Sequence, residues 1–163
     1  MAVVGCAFVD VTGFGAVPLL ASIEPPSSLP AVQEWIAMDP ADRLELHELP
    51  GRYGDAIDDR AWDRLDDIFT TDAVFDLTDL GAPRCEGLAA IKQFMDQEAQ
   101  HPRTHLMTNI YVDERPTGVQ LRFRIVALLG EGKVGTASYY DDVIKTPAGW
   151  RVSNRVITMR RRP

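Results

Sequence analysis

Two of the chain's three histidines, His101 and His105, lie in the stretch HPRTHLMTNIYV, which has the composition of a β-strand. Side chains alternate between the two faces of a strand. The residues predicted to share one face are His105, Met107, Asn109 and Tyr111. An imidazole, an amide, a thioether and a phenol on one face suit the wall of a small-molecule pocket. Because imidazole exchanges protons near neutral pH, His105 is a candidate general base, although a strand histidine with a satisfied hydrogen bond would give the same pattern.

The composition is typical of one soluble globular domain. Hydrophobic residues make up 45% and charged residues 25% of the 163 residues. The formal net charge of −7 argues against nucleic-acid binding, because phosphate contacts require an excess of Lys and Arg. Cys6 and Cys85 are far apart and outside any CxxC pair, so neither a disulfide framework nor a zinc site is indicated. We therefore expect a reducing compartment, the cytoplasm.

Residues 1–38 are predicted to be an N-terminal extension, poorly ordered or loosely packed, ahead of a domain at 39–163. The first thirty residues are apolar, but they lack Lys and Arg near the start and Asp10 interrupts them, so no signal peptide is expected. No run is long enough to span a membrane, and no membrane partner is expected. The sequence PPSSLP at 25–30 indicates a linker.

The domain opens with helical patterns. Asp39-Pro40 predicts a helix start, with Asp39 as N-cap and Pro40 at the first helical position. The apolar stripe that follows consists of Leu46, Leu49, Tyr53 and Ile57. Pro50-Gly51 is expected to kink or interrupt this helix. A second helix is predicted from Trp62 to Phe69, capped by Asp58 or Asp59, and a third after Gly87, with a short strand at 73–77 between them.

The second half of the chain has the period of a sheet. From Val119 to Leu129, apolar residues alternate with polar ones, which predicts a long half-buried strand. Turn signals at 130–133 and 146–149 separate this strand from two more, at 134–145 and 150–160. Helices followed by an antiparallel meander predict an α+β domain with a curved sheet around the helices.

Four phrases in order resemble the SnoaL-like branch of the nuclear transport factor 2-like superfamily. They are RYGDAIDDRAWDRLDDIFTTDAVFD, EGLAAIKQF, HLMTNIYVD and YYDDVIKTPAGWRVSNRVI. The resemblance covers about residues 42–161. It implies a cone-shaped domain of order α-α-β-α-β-β-β-β, with three N-terminal helices packed in a curved, mostly antiparallel sheet. It also implies a deep pocket and, commonly, a homodimer formed through the sheet.

Members of this superfamily include scytalone dehydratase, hexachlorocyclohexane dehydrochlorinase, bile acid dehydratase, ketosteroid isomerase and polyketide cyclases, which transfer protons without a cofactor. Other members have no catalytic activity, so the fold alone does not define the function. By resemblance, His105 matches the catalytic base, Asp58 the carboxylate paired with it, Tyr53 a pocket tyrosine and Arg155 an arginine near the leaving group. No metal or cofactor is implied. The side chains expected to contact the substrate are Phe75, Met95, Met107, Asn109, Phe123 and Tyr139.

The same residues have structural interpretations. On a regular first helix, Asp58 lies opposite the apolar stripe, as expected of a solvated helix end or of an N-cap for the next helix. Tyr53 is equally a core residue. Arg155 is predicted to share a strand face with Ser153 and Ile157, so it faces either the pocket or a dimer partner.

Two hypotheses remain. The first is a cofactor-independent lyase or isomerase, in which His105 and Asp58 remove a proton from a small hydrophobic, cyclic substrate. The second is a non-catalytic domain that binds a hydrophobic ligand, or a small subunit like that of ring-hydroxylating dioxygenases. A homodimer through the outer face of the sheet is expected in either case, because the strand at 119–129 has too many apolar residues for both faces to be wet.

Overall fold

The structure, a computed structural model, describes residues 38–97 and 101–160. The predicted extension therefore lies outside the described residues, apart from its last position, and remains a prediction. The helices are α1 (Pro40–Asp58) and α2 (Leu88–Gln97). The strands are β1 (Phe69–Asp76), β2 (Arg84–Glu86), β3 (Thr104–Arg115), β4 (Gly118–Leu128), β5 (Val134–Thr146) and β6 (Gly149–Met159). Short 3-10 segments lie at Trp62–Asp67, Thr78–Leu80 and Gly130–Gly132.

The six strands form one mixed sheet in the order β2-β1-β6-β5-β4-β3. All neighbouring pairs are antiparallel except β1 and β6, which are parallel. The predicted α+β class with a mostly antiparallel sheet is confirmed. Two details of the predicted order are wrong: the second helix is a 3-10 segment, and β2 is a strand that the predicted order lacks.

Helix α1 begins as predicted and continues further than predicted. The Asp39 carboxylate accepts a hydrogen bond of 2.8 Å from the backbone N–H of Ala41, and Pro40 occupies the first turn. The helix runs without interruption through Pro50 to Asp58, so the expected interruption does not occur, whereas the alternative of a kink stays a prediction. Proline removes one backbone donor, but burial of Leu49 and Tyr53 on either side of it holds the helix together.

A second packed face of α1 contains Gly54 and Asp58, which are four residues apart and therefore neighbours on the helix surface. A Cβ added at Gly54 would lie 3.0 Å from the terminal methyl carbon of Met107 on β3. Glycine thus allows β3 to pack closely along this face. Asp58 at the end of the same face is thereby brought beside the start of β3, and it does not cap the next segment, whose N-cap is Ala61.

Strand β3 contains a bulge that changes which side chains face the core. Thr108 pairs with Arg124 but Tyr111 with Arg122, so β3 has one extra residue at this point. Asn109 adopts a left-handed conformation there, with φ of 51°. Beyond the bulge Ile110 packs against the core, whereas Tyr111 is 53% exposed. The prediction that Asn109 and Tyr111 share the face of His105 is therefore wrong.

A similar irregularity occurs in β6. Val152 pairs with Val143 and Asn154 with Asp142, which leaves Ser153 as the extra residue. Val152 and Arg155 consequently face the core together, although simple alternation placed them on opposite faces.

In the ranges that the structure describes, no helix is long and apolar enough to cross a membrane.

Candidate active site

A cavity of about 570 Å³ lies within the domain and is lined mainly by apolar side chains. Residues from α1, α2 and strands β1, β3, β4, β5 and β6 contribute to its wall. The polar side chains of that wall are Tyr53, His101, His105, Thr136, Tyr139 and Arg160. No carboxylate is among the described residues that line it, although the chain as a whole is acidic. Such a wall suits an apolar ligand that is oriented by a few polar contacts.

His105 and Asp58 are in direct contact. The Nδ1 atom of His105 lies 2.6 Å from an Asp58 carboxylate oxygen, and the histidine side chain is only 5% exposed. The two residues are 47 positions apart, and the packing of α1 against β3 brings them together. The pair matches the arrangement in which a carboxylate fixes the tautomer of a basic imidazole.

The other Asp58 oxygen holds the first residues of β3. It accepts 2.7 Å and 2.8 Å hydrogen bonds from the Thr104 hydroxyl and from the His105 backbone N–H. Burial alone would raise the pKa of Asp58, but the bonds from the His105 ring, the Thr104 hydroxyl and the His105 backbone outweigh it, and the pKa lies below its ordinary value. Asp58 is therefore ionised at neutral pH.

The tautomer of His105 follows from this contact. An ionised carboxylate only accepts hydrogen bonds, so Nδ1 carries the hydrogen and Nε2 has a free lone pair. Nε2 has no hydrogen-bond partner among the described residues and is not one of their fully buried unpaired atoms. Because His105 lines the cavity, Nε2 is available to a molecule inside it. The geometry is that of a general base.

His101 is a second cavity histidine, to which the sequence assigns no role. Its ring centroid lies 5.3 Å from that of His105 and 6.0 Å from that of Trp62, which packs against it in a T-shaped arrangement. A histidine four positions before His105 was the available signal, but it lies just ahead of the predicted strand, where alternation says nothing. The structure thus adds a second imidazole to the site.

Two phenols, Tyr53 and Tyr139, also line the cavity, with ring centroids 6.3 Å apart. Burial raises the pKa of Tyr53, with the positive charge of Arg155 opposing it, and burial raises the pKa of Tyr139 well above its ordinary value. Both phenols therefore stay protonated at neutral pH, and a protonated phenol can donate a hydrogen bond. Tyr53 is at once a core residue and a cavity residue, so the two interpretations of it do not exclude each other.

Arg155 lies behind the cavity wall. It is 1% exposed and forms two hydrogen bonds, of 2.7 Å and 2.6 Å, with the equally buried Asp141 across β5 and β6. Its guanidinium carbon lies 3.9 Å from the Tyr53 ring centroid, which is a cation–π contact. The Nη1 atom is buried without a partner among the described residues. The expectation that Arg155 faces the pocket or a dimer partner is wrong, because the bulge at Ser153 turns it into the core.

The six expected substrate contacts divide equally. Phe75, Met95 and Tyr139 line the cavity. Met107, Asn109 and Phe123 do not: Met107 packs on Gly54, Asn109 is exposed at the bulge, and Phe123 is buried against Tyr139. Alternation identified the inward faces of β1, β4 and β5, but not every residue on an inward face reaches the cavity. Within 38–97 and 101–160, no group of three or more His, Cys, Asp or Glu is placed to hold a metal ion.

Comparisons with known proteins define the family. The model of the SnoaL-like domain matches residues 39–156. The chain therefore belongs to the SnoaL-like family. Uncharacterized proteins of Mycobacterium tuberculosis (strain H37Rv) and Mycobacterium bovis are each 33% identical over 129 residues, which cover 72% of this chain and 85% of the relative.

Among solved structures, a candidate aromatic ring hydroxylase from Novosphingobium aromaticivorans is 27% identical, with a TM-score of 0.61, over 75% of this chain and 91% of that chain. The structure of LinA is 20% identical, with a TM-score of 0.64, over 74% of this chain and 87% of that chain. A protein of unknown function from Mycobacterium tuberculosis, with an Asp-to-Asn substitution, is 24% identical, with a TM-score of 0.64, over 77% of this chain and 79% of that chain. The last two likenesses show the fold alone.

Proposed function

We propose that the protein is a cofactor-independent lyase or isomerase, which removes a proton from a small hydrophobic, cyclic substrate. The observation that carries the proposal is the 2.6 Å contact between His105 Nδ1 and Asp58, which leaves Nε2 free at an apolar cavity. Membership of a family that includes dehydratases and isomerases supports the reaction class.

In this reaction His105 Nε2 takes a proton from a carbon next to an activating group such as a carbonyl. The imidazolium that forms is stabilised by the negative charge of Asp58. The protonated phenols of Tyr53 and Tyr139 are suited to donate hydrogen bonds to a carbonyl oxygen on which charge develops. A positioned base accelerates such a step by a factor on the order of a hundred to ten thousand, so the substrate C–H must already be acidified.

The cavity limits the size and the polarity of the substrate. Its volume of about 570 Å³ is in the usual range for a pocket that encloses a small organic molecule. Apolar and aromatic residues such as Phe75, Phe94 and Ile125 dominate its wall. A compound of one to three rings with a carbonyl group fits these features, and a strongly hydrated polyanion does not.

The experiment measures proton abstraction directly. Cyclic ketones such as 2-tetralone are incubated with the protein in D₂O, and deuterium incorporation next to the carbonyl is followed by NMR. We expect exchange above the buffer rate with the wild type, and its loss with His105→Ala. His47→Ala is the matched control, because His47 is exposed on α1 and does not line the cavity. Equal exchange by the wild type and His105→Ala would contradict the proposal.

A second candidate is a non-catalytic subunit of a ring-hydroxylating assembly, or a ligand-binding domain. The 27% identity to a candidate aromatic ring hydroxylase supports this alternative. Under this alternative the cavity binds aromatic ligands, but His105→Ala and Asp58→Asn leave the function intact. A protein that binds 2-tetralone without any exchange above the buffer rate would support this alternative over the enzyme.

A further inference from the structure

We propose that His101 accepts a hydrogen bond from a hydroxyl group of the substrate and holds that hydroxyl beside His105. The proposal rests on the proposed function and narrows its substrate class to hydroxylated ring compounds, such as cyclic β-hydroxy ketones. His101 would then be a substrate-binding residue of the same site.

The tautomer of His101 supports this role. Its Nδ1 atom lies 3.2 Å from the backbone carbonyl oxygen of Pro102. A carbonyl only accepts hydrogen bonds, so Nδ1 carries the hydrogen and Nε2 has the lone pair. No described residue donates to Nε2, which is not one of the fully buried unpaired atoms, and the side chain lines the cavity. A ligand O–H is a suitable partner for such an acceptor.

The ring is in contact with two aromatic neighbours. The Trp62 ring packs against it in a T-shaped arrangement, and the Trp62 indole N–H donates a 3.2 Å hydrogen bond to Asp96 of α2. The His105 ring contacts it as well, at 5.3 Å between ring centroids. His101 therefore occupies a fixed position next to the base and not a position on a free loop surface.

The charge state agrees with the geometry. Burial lowers the pKa of His101, the Pro102 hydrogen bond and Asp58 raise it, and the nearby positive charge of Arg60 lowers it further. The net direction is downward, so the ring is neutral at and above neutral pH. A neutral ring keeps the Nε2 lone pair that a hydroxyl needs.

The placement has a direct consequence for an elimination of water. His105 Nε2 takes the proton from carbon and becomes an imidazolium whose N–H lies near the hydroxyl oxygen held by His101. That oxygen receives the same proton, the C–O bond breaks with its electron pair on oxygen, and a C=C bond forms. Water leaves, His105 is neutral again, and His101 has neither gained nor lost a proton. The step needs no other reactant.

The test uses two probes of nearly equal size, 2-naphthol and 2-methylnaphthalene, of which only the first donates a hydrogen bond. Their dissociation constants are measured by NMR titration at about pH 8, where a histidine of ordinary pKa is neutral. Comparing the ratio of the two constants between variants cancels the difference in hydration of the probes. We expect His101→Phe to reduce the relative preference for 2-naphthol about three- to tenfold, as loss of one neutral hydrogen bond would.

His101→Gln should restore most of the preference, because its amide oxygen accepts a hydrogen bond, and His47→Ala should leave it unchanged. A ratio that is the same within twofold in the wild type and His101→Phe would overturn the proposal, as would a shift seen only in His105→Phe. Because this readout is binding, it separates the two claims. If proton exchange depends on His105 but the ratio of dissociation constants does not depend on His101, the hydroxyl site is rejected and the proposed enzyme activity stands. If the ratio depends on His101 but there is no exchange that depends on His105, the enzyme activity is rejected and the hydroxyl site stands.

Discussion

Asp58 connects the candidate active site to the fold at the scale of a single residue. One of its oxygens contacts the His105 ring and the other binds two groups at the start of β3. It also lies at the C-terminal end of α1, where the helix dipole disfavours a negative charge. The three hydrogen bonds offset that cost. The ionised state of Asp58 therefore depends on its contacts with β3, and the position of the first residues of β3 depends on the Asp58 carboxylate.

The lowered pKa of Asp58 gives a prediction for acid stability. Because the folded-state pKa lies below the ordinary value of 3.8, the ionised carboxylate stabilises the fold fully above about pH 5. This stabilisation is lost as the pH falls through the folded-state pKa. We expect the difference in free energy of unfolding between wild type and Asp58→Asn to be constant above about pH 5 and to shrink below pH 4. Urea denaturation across this range measures it, and a gap that widens toward low pH would contradict it.

Asp58 also illustrates what the sequence could predict at this scale. Its partner His105 was expected from the family resemblance, and the structure brings the two together. The apolar stripe of α1 alone indicates one buried face and places Asp58 opposite it. Where this second face contacts β3, its residues are a glycine and this aspartate, and neither adds to an apolar stripe. Periodicity of apolar residues therefore could not predict it.

At the scale of elements, Gly54 determines how closely α1 and β3 approach. A Cβ there meets only the flexible end of Met107, 3.0 Å away, and alanine favours a helix over glycine. We expect Gly54→Ala to leave the melting temperature within a few degrees and proton exchange nearly unchanged. Gly54→Val should force β3 away, lengthen the contact between His105 and Asp58, and reduce exchange at least tenfold. Equal exchange in the two variants would show that this packing does not position the site.

The buried pair of Arg155 and Asp141 links β5 to β6 behind the cavity. Removing one partner of a buried ion pair leaves an uncompensated charge and costs about 3–5 kcal/mol, whereas replacing both by apolar residues costs far less. We therefore expect Arg155→Met and Asp141→Leu each to destabilise the protein by that amount, and the double variant to be more stable than either. Chemical denaturation measures all three. Single variants within about 1 kcal/mol of wild type would contradict a structural role for the pair.

The strands show where sequence patterns suffice and where they fail. Alternation in β4 is unbroken, and Leu121, Phe123 and Ile125 face the core as predicted. In β3 and β6 one extra residue reverses the alternation halfway, at Asn109 and Ser153. An asparagine within a β-rich stretch is a weak signal of a left-handed residue. The position of a bulge is otherwise determined by packing between strands, which a linear pattern does not contain.

At the scale of the whole molecule, the outer face of β3, β4 and β5 is the surface through which we propose that the expected homodimer forms. The apolar residues of β4 that suggested it face the protein's own core, so the original reason does not hold. The same sheet nevertheless exposes Leu106, Tyr111 and Leu128 at 51%, 53% and 41% on its outer face. Tyr111 and Tyr140 flank Arg122 across three adjacent strands, which makes this face both apolar and aromatic.

We expect a homodimer at micromolar concentration that Leu106→Glu converts to a monomer, because the substitution places a charge in the shared face. Leu44→Glu is the matched control, since Leu44 is 62% exposed on α1, away from the sheet. Light scattering coupled to size-exclusion chromatography measures the mass. A wild-type monomer, or a dimer unaffected by Leu106→Glu, would count against this interface.

The central claim is that His105 and Asp58 act as one proton-transferring unit, and a double-mutant cycle on the exchange rate of 2-tetralone tests it most directly. The rates are measured for wild type, His105→Ala, Asp58→Asn and the double variant, with circular dichroism to confirm that each is folded. Residues that act as a unit are not additive, so the double variant should be about as slow as His105→Ala alone. A double variant slower by the product of the two single effects, or a His105→Ala variant as fast as wild type, would contradict the claim.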